Sequence, residues 1–195
     1  MHKFIIFSVL CFCLPLLGDM GHLDKLIEGN RRFVQGGYPR KELIAAQHPF
    51  CAVLACADSR VAPELIFDQN LGDLFVVRIA GNVATRGIIE SLDFASKILK
   101  VDLIVVMGHQ NCGAVSAVIE HTADIELGSL YSYIQPSVQG ITSLKEAVIA
   151  NVKQQIRQIK ADPILQPRFQ DGSLKIKGAY YNFETGIVDF FKLED

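Results

Sequence analysis

The chain has 195 residues, half of them hydrophobic, and sets 19 Lys and Arg against 21 Asp and Glu for a net charge of −2. Such length and apolar content fit one domain with a substantial core and exclude an intrinsically disordered chain. Charge scattered without blocks of one sign argues against nucleic acid or an anionic membrane surface as partner, and five irregularly spaced cysteines do not form a disulfide framework.

Met1-His2-Lys3 is a short basic start, followed by a nearly continuous apolar run from Phe4 to Leu17. A membrane helix needs about 20 apolar residues, so this run has the length of a signal-peptide core instead. Residues 1–18 are therefore read as a signal peptide. That reading puts the mature domain, residues 19–195, in the periplasm or outside the cell, with no stable membrane span. The alternative is an apolar N-terminal helix packed on a partner subunit of a cytoplasmic protein.

His22 to Gln35 reads as an amphipathic helix carrying Leu23, Leu26, Ile27, Phe33 and Val34, stopped by Gly36-Gly37-Tyr38-Pro39. Phe50 to Ala55, Leu74 to Ile79 and Asp102 to Met107 are short apolar runs of the kind found in fully buried strands. Thr85 to Lys100 lies between the last two, with the wide apolar coverage of a packed helix. Gly113 to His121 and Ile141 to Ile159 predict further helices. Near the end, Lys175 to Tyr181 and Ile187 to Phe191 flank a turn at Asn182-Phe183-Glu184-Thr185-Gly186, which predicts a hairpin. Strands alternating with helices give a three-layer α/β domain with a mainly parallel sheet and its chemistry at the carboxyl ends of the strands.

Two of those strand ends carry metal-ligating residues. Cys56 follows the first strand, with Asp58 and Arg60 two and four residues beyond it; His109 and Cys112 follow the third. A free cysteine is most often a buried apolar thiol, and a lone loop histidine is most often only hydrogen-bonded. Two thiols and an imidazole at two strand ends instead suit a tetrahedral zinc site with a fourth position open to water. Two thiolates cancel the charge of Zn²⁺ and weaken its acidifying effect on water, so a nearby carboxylate is useful. Asp58 either accepts a hydrogen bond at that position or closes the site as a conditional fourth ligand. Arg60 can hold Asp58 bidentately and keep it ionised.

These segments, Cys56-Ala57-Asp58-Ser59-Arg60-Val61, Arg78-Ile79-Ala80-Gly81-Asn82 and Gly108-His109-Gln110-Asn111-Cys112-Gly113-Ala114, resemble the β-class carbonic anhydrases, as does Gly178 to Gly186. The resemblance runs from about Leu23 to Phe191. It implies one Zn²⁺ per subunit on Cys56, His109 and Cys112, with Asp58 and Arg60 as the catalytic pair. It implies the reversible hydration of carbon dioxide to bicarbonate and a proton. It further implies a homodimer or higher homo-oligomer whose substrate pocket uses Gln47 from the neighbouring subunit, with Phe75, Gly81 and Phe94 lining it. Three departures stand out: Ile79 where many members have Asn, the absence of Trp from an inhibitory bicarbonate site of some relatives, and the apolar leader.

Two other readings are carried forward: a hydrolase of carbonyl sulfide or carbon disulfide on the same fold, and a non-catalytic zinc-stabilised scaffold. Cys51 reads as buried packing. His22, His48 and His121 are candidate proton shuttles by their titration range, each more simply a surface or capping residue.

Overall fold

The computed structural model describes residues 21–37, 41–122 and 128–192; the segment read as a signal peptide lies outside them. By its contacts the chain divides into a unit ending at Ala45 and a second running from Ala46. In the first, α1 (His22–Gln35) takes the bounds its apolar stripe predicts, and none of its residues is buried. A short helix, α2 (Lys41–Ala45), follows.

Among the described residues the second unit is built on five strands, β1 (Cys51–Ala55), β2 (Leu74–Arg78), β3 (Leu103–His109), β4 (Lys175–Tyr181) and β5 (Val188–Phe191). They lie in the order β2-β1-β3-β4-β5; the first four are parallel and β5 runs antiparallel to β4. The helices are α3 (Pro63–Ile66), α4 (Arg86–Lys97), α5 (Gly113–Ile119), α6 (Gly128–Val138), α7 (Leu144–Ala161) and α8 (Gln166–Gln170). The sheet is mainly parallel and helix-flanked, as the strand–helix alternation predicts.

Alternation along β1 shows how the core is divided. Ala52 and Leu54 meet Ile88 and Leu92 of α4 and Val152 and Ile156 of α7 on one face. Cys51, Val53 and Ala55 turn to the other face with Val61, Val105 and Met107. Both sides of β1 are buried, which is why its sequence is apolar throughout rather than alternating. Cys51 packs as expected, and burial pushes its thiol up to about 11.

The hairpin forms as its sequence requires. Gly186 sits at φ 70°, and its N–H donates to the Asn182 carbonyl at 2.9 Å, while the Asn182 side-chain oxygen accepts the N–H of Glu184 at 2.8 Å. Between β3 and α7 the backbones approach closely. A Cβ on Gly108 would stand 2.6 Å from Val148 Cγ1 and 2.9 Å from Val152 Cγ2. Gly108→Ala is therefore expected to push α7 off the sheet and to cost about 1–3 kcal/mol, read as a lowered midpoint in denaturant unfolding.

Sequence and structure differ in several places, the five-residue α2 being one helix with too little length to show an apolar period. β3 runs two residues further than expected, so His109 is the last residue of the strand, paired with Tyr181, rather than the first beyond it. α3, α6 and α8 were not predicted. Each contains a proline, which breaks the apolar periodicity a helix is recognised by; Pro136 even sits within α6.

Candidate metal centre

β1 sends the chain to β2 on one side, and β3 sends it to β4 on the other. The carboxyl ends of the neighbouring strands β1 and β3 thus enclose a topological switch point, the crevice where open α/β sheets bind ligands. Cys56 follows the last residue of β1, and His109 ends β3. Asn111, at φ 52°, turns the chain so that Cys112 returns at the start of α5. The ligating atoms of Cys56, His109 and Cys112 all lie within 4.8 Å of one another, and all three residues are buried.

Each of these atoms is prepared by backbone. His109 Nδ1 lies 2.8 Å from the Gln110 carbonyl oxygen. A carbonyl only accepts, so Nδ1 carries the hydrogen and Nε2 keeps its lone pair. That Nε2 is buried without a hydrogen-bond partner among the described residues. Such an atom is costly unless something coordinates it. Cys56 Sγ accepts the N–H of Asp58 at 3.4 Å and of Gly81 at 3.3 Å. Cys112 directed at Cys56, together with those two N–H groups, lowers the Cys56 pKa, and the shared negative charge raises that of Cys112 in turn. Two sulfurs competing for one proton around a bare imidazole nitrogen form a donor set suited to a soft-to-borderline divalent cation such as zinc.

Gly81 reaches the sulfur because its φ is 70°, in the left-handed region, and because a Cβ there would stand 2.8 Å from Ile134 Cδ1. Its carbonyl accepts from Asn151 Nδ2 at 2.8 Å. Asn151 Oδ1 in turn accepts from Gln155 Nε2 at 2.8 Å, and Gln155 Oε1 accepts the Ala84 N–H at 2.8 Å. These fully buried amides on α7 fix the segment that holds Cys56. The resemblance implied a substrate-pocket role for Gly81; in the fold its N–H donates to the Cys56 sulfur.

Asp58 and Arg60 meet as expected. Asp58 Oδ1 accepts Arg60 Nε at 3.0 Å and the Arg60 backbone N–H at 3.0 Å, and Oδ2 accepts Nη2 at 2.7 Å. Those bonds hold the Asp58 carboxyl well below the usual carboxylate range. Oδ2 also lies 4.0 Å from His109 Nε2, at the edge of the cluster. Arg78, on β2, clamps the intervening loop from below, donating from Nε to the Cys56 carbonyl at 3.0 Å and from Nη2 to the Asp58 carbonyl at 2.6 Å. Sequence reasoning placed Arg78 in a motif but gave it no task; its spacing from Cys56 carries no local signal.

The other expected pocket residues lie elsewhere within one chain. Phe75 and Phe94 pack on each other at 6.2 Å between centroids, on the α4 side of the sheet rather than with the cysteines. Gln47 is exposed on the segment leading to β1. His22, His48 and His121 are also exposed.

Comparison with known proteins agrees with the geometry. A family profile described as carbonic anhydrase matches residues 51–188. Carbonic anhydrase 2 of Mycobacterium tuberculosis is 38% identical over 192 residues, covering 89% of this chain and 93% of that protein. A carbonic anhydrase of Synechococcus elongatus is 32% identical, covering 85% of this chain and 70% of that protein. Among solved structures, the β-carbonic anhydrase CcaA superposes with a TM-score of 0.80 at 28% identity, covering 88% and 96% of the two chains. The Coccomyxa β-carbonic anhydrase in complex with acetazolamide gives 0.75 at 27% identity, covering 87% and 86%. The profile spans the segments that form the cluster, and with the sequence relatives and the superposition it shows that the chain belongs to the β-carbonic anhydrase family.

Proposed function

We propose that this enzyme hydrates carbon dioxide reversibly with one Zn²⁺ held by Cys56, His109 and Cys112. The observation that carries the reading is the buried Nε2 lone pair of His109, set among two thiols with no hydrogen bond among the described residues to satisfy it. Bound zinc supplies Lewis acidity that brings the ionisation of water into the neutral range.

The chain's own residues supply the rest. The Asp58 carboxylate stands at the rim of the cluster as an acceptor and directs a hydrogen-bonded proton away from the reacting oxygen. Arg60 engages both Asp58 oxygens, which favours this orienting role over ligation. Gln47, from a neighbouring subunit, donates to a substrate oxygen, and Phe75 and Phe94 provide an apolar wall suited to a neutral triatomic. A dimer is then required for a complete pocket. The exposed Leu23, Leu26 and Ile27 on α1 are an apolar face suited to a subunit contact.

Stopped-flow hydration by the zinc-loaded protein, from neutral to about pH 9, tests the reading. Turnover that rises with pH is expected. No turnover across that range, with zinc bound and the oligomer intact, would overturn it. Sulfide release from carbonyl sulfide exceeding the carbon dioxide rate would reassign the substrate, and inertness toward both would leave the scaffold reading.

A further inference from the structure

Arg60 is an awkward residue on which to rest the direction of a carboxylate. Its side chain is 54% exposed, and a long solvated side chain keeps many rotamers open. One feature restricts it. The Arg60 guanidinium carbon lies 4.3 Å from the centroid of the Phe183 ring, so one face of the cation is covered by an aromatic face. The same ring stands 5.3 Å from the His109 imidazole and meets Tyr181 edge-on at 5.3 Å. Phe183 thus touches both a proposed metal ligand and the cation that holds Asp58.

The ring is firmly mounted. Phe183 N–H donates to Gln110 Oε1 at 2.9 Å, and Gln110 Nε2 donates to Glu184 Oε1 at 2.9 Å. The Gln110 backbone N–H donates to the Tyr181 carbonyl at 2.8 Å. The side chain next to His109 therefore fastens the hairpin tip to the ligand loop, and the hairpin fixes the ring at the cation.

We infer that Phe183 is a positioning residue: its ring face holds the Arg60 guanidinium in the plane that keeps Asp58 directed at the cluster. The inference rests on the proposed role of the Asp58–Arg60 pair. Phe183 touches neither substrate nor reacting atoms and acts through Arg60. An apolar side chain of similar bulk would fill the space but offer no negative π face, so bulk and ring are separable.

Three variants in the full chain separate them: Phe183→Tyr, which retains the ring, Phe183→Leu, which retains apolar bulk, and Phe183→Met in case the leucine chain does not fold. The first readout is the ¹H–¹⁵N resonance of the Arg60 Nε–H, which a ring face at this distance shifts upfield whether or not the enzyme turns over. The shift is expected in the native protein and in Phe183→Tyr, and lost in Phe183→Leu or Phe183→Met. The second readout is kcat/KM at unchanged zinc content. It is expected to fall about five- to tenfold in Phe183→Leu, stay within about twofold in Phe183→Tyr, and show no further loss when Phe183→Leu is added to Arg60→Ala. An unshifted Arg60 Nε–H in the native protein, a tyrosine variant as impaired as leucine, or additive losses in the Arg60→Ala background would overturn the inference. Failure of the underlying reading shows separately, as a native rate in Arg60→Ala alone.

Discussion

Cys56→Ser is expected to empty the metal centre and abolish turnover. Serine keeps roughly the volume of cysteine but replaces a polarisable sulfur, whose ionisation is favoured by Cys112 and by the N–H groups of Asp58 and Gly81, with a hydroxyl that does not ionise near neutrality. The oxygen also falls short of the point the sulfur reaches. Bound zinc, measured by elemental analysis after gel filtration, should drop from about one per chain to near zero, with affinity reduced by more than about 100-fold. Carbon dioxide hydration should fall to the uncatalysed rate. Thermal unfolding of the variant should no longer respond to added zinc, whereas the native chain should gain stability with it. Retention of stoichiometric zinc and measurable turnover by Cys56→Ser would remove Cys56 from the ligand set.

Asp58→Asn is expected to leave zinc bound and reduce kcat/KM by about 10²- to 10⁴-fold, the range for loss of a positioned proton-handling group. The amide is nearly isosteric, but its nitrogen end cannot accept, and Arg60 loses the charge it grips through two oxygens. The pH dependence sharpens the expectation. Arg60 depresses the Asp58 carboxyl below its unfolded value of about 3.9, so the ionised pair is complete above that value and is lost only as pH falls through the depressed one. Asp58 therefore does not titrate between pH 5 and 9. In that window the native pH–rate profile reports another group, and the Asn variant should lower its height while leaving its midpoint in place. Loss of zinc from Asp58→Asn would instead make Asp58 chiefly a ligand.

Much of this centre was legible because its chemistry lies in short contiguous segments. Cys56, Asp58 and Arg60 span five residues, and His109 and Cys112 span four, so each half of the site declares itself locally. β1, β2 and β3 were legible as continuous apolar runs because both faces of the sheet are covered. What escaped was whatever depends on distance in sequence. Asn151 and Gln155 look like the solvent face of a long helix, yet they are fully buried and serve the backbone of Gly81 and Ala84, about 70 residues away. Arg78 and Phe183 likewise act on partners that only sheet register brings near. The substrate pocket that the resemblance implies is not legible in one chain: Gln47 is exposed ahead of β1, and Phe75 and Phe94 pack on each other on the α4 side of the sheet.

The strand order has a bearing on how the centre is assembled during synthesis. β1, β2 and β3 are contiguous in space and leave the ribosome first, so Cys56, His109 and Cys112 exist as a nascent group while α6, α7 and β4 are still unmade. The parts that shape that group come late: Ile134 beneath Gly81, Asn151 on its carbonyl, and Tyr181 opposite His109. Long-range parallel pairing is slow, because the intervening chain must be ordered before the contact forms. The frame that buries Cys56, His109 and Cys112 is therefore complete only once β4 has joined the sheet.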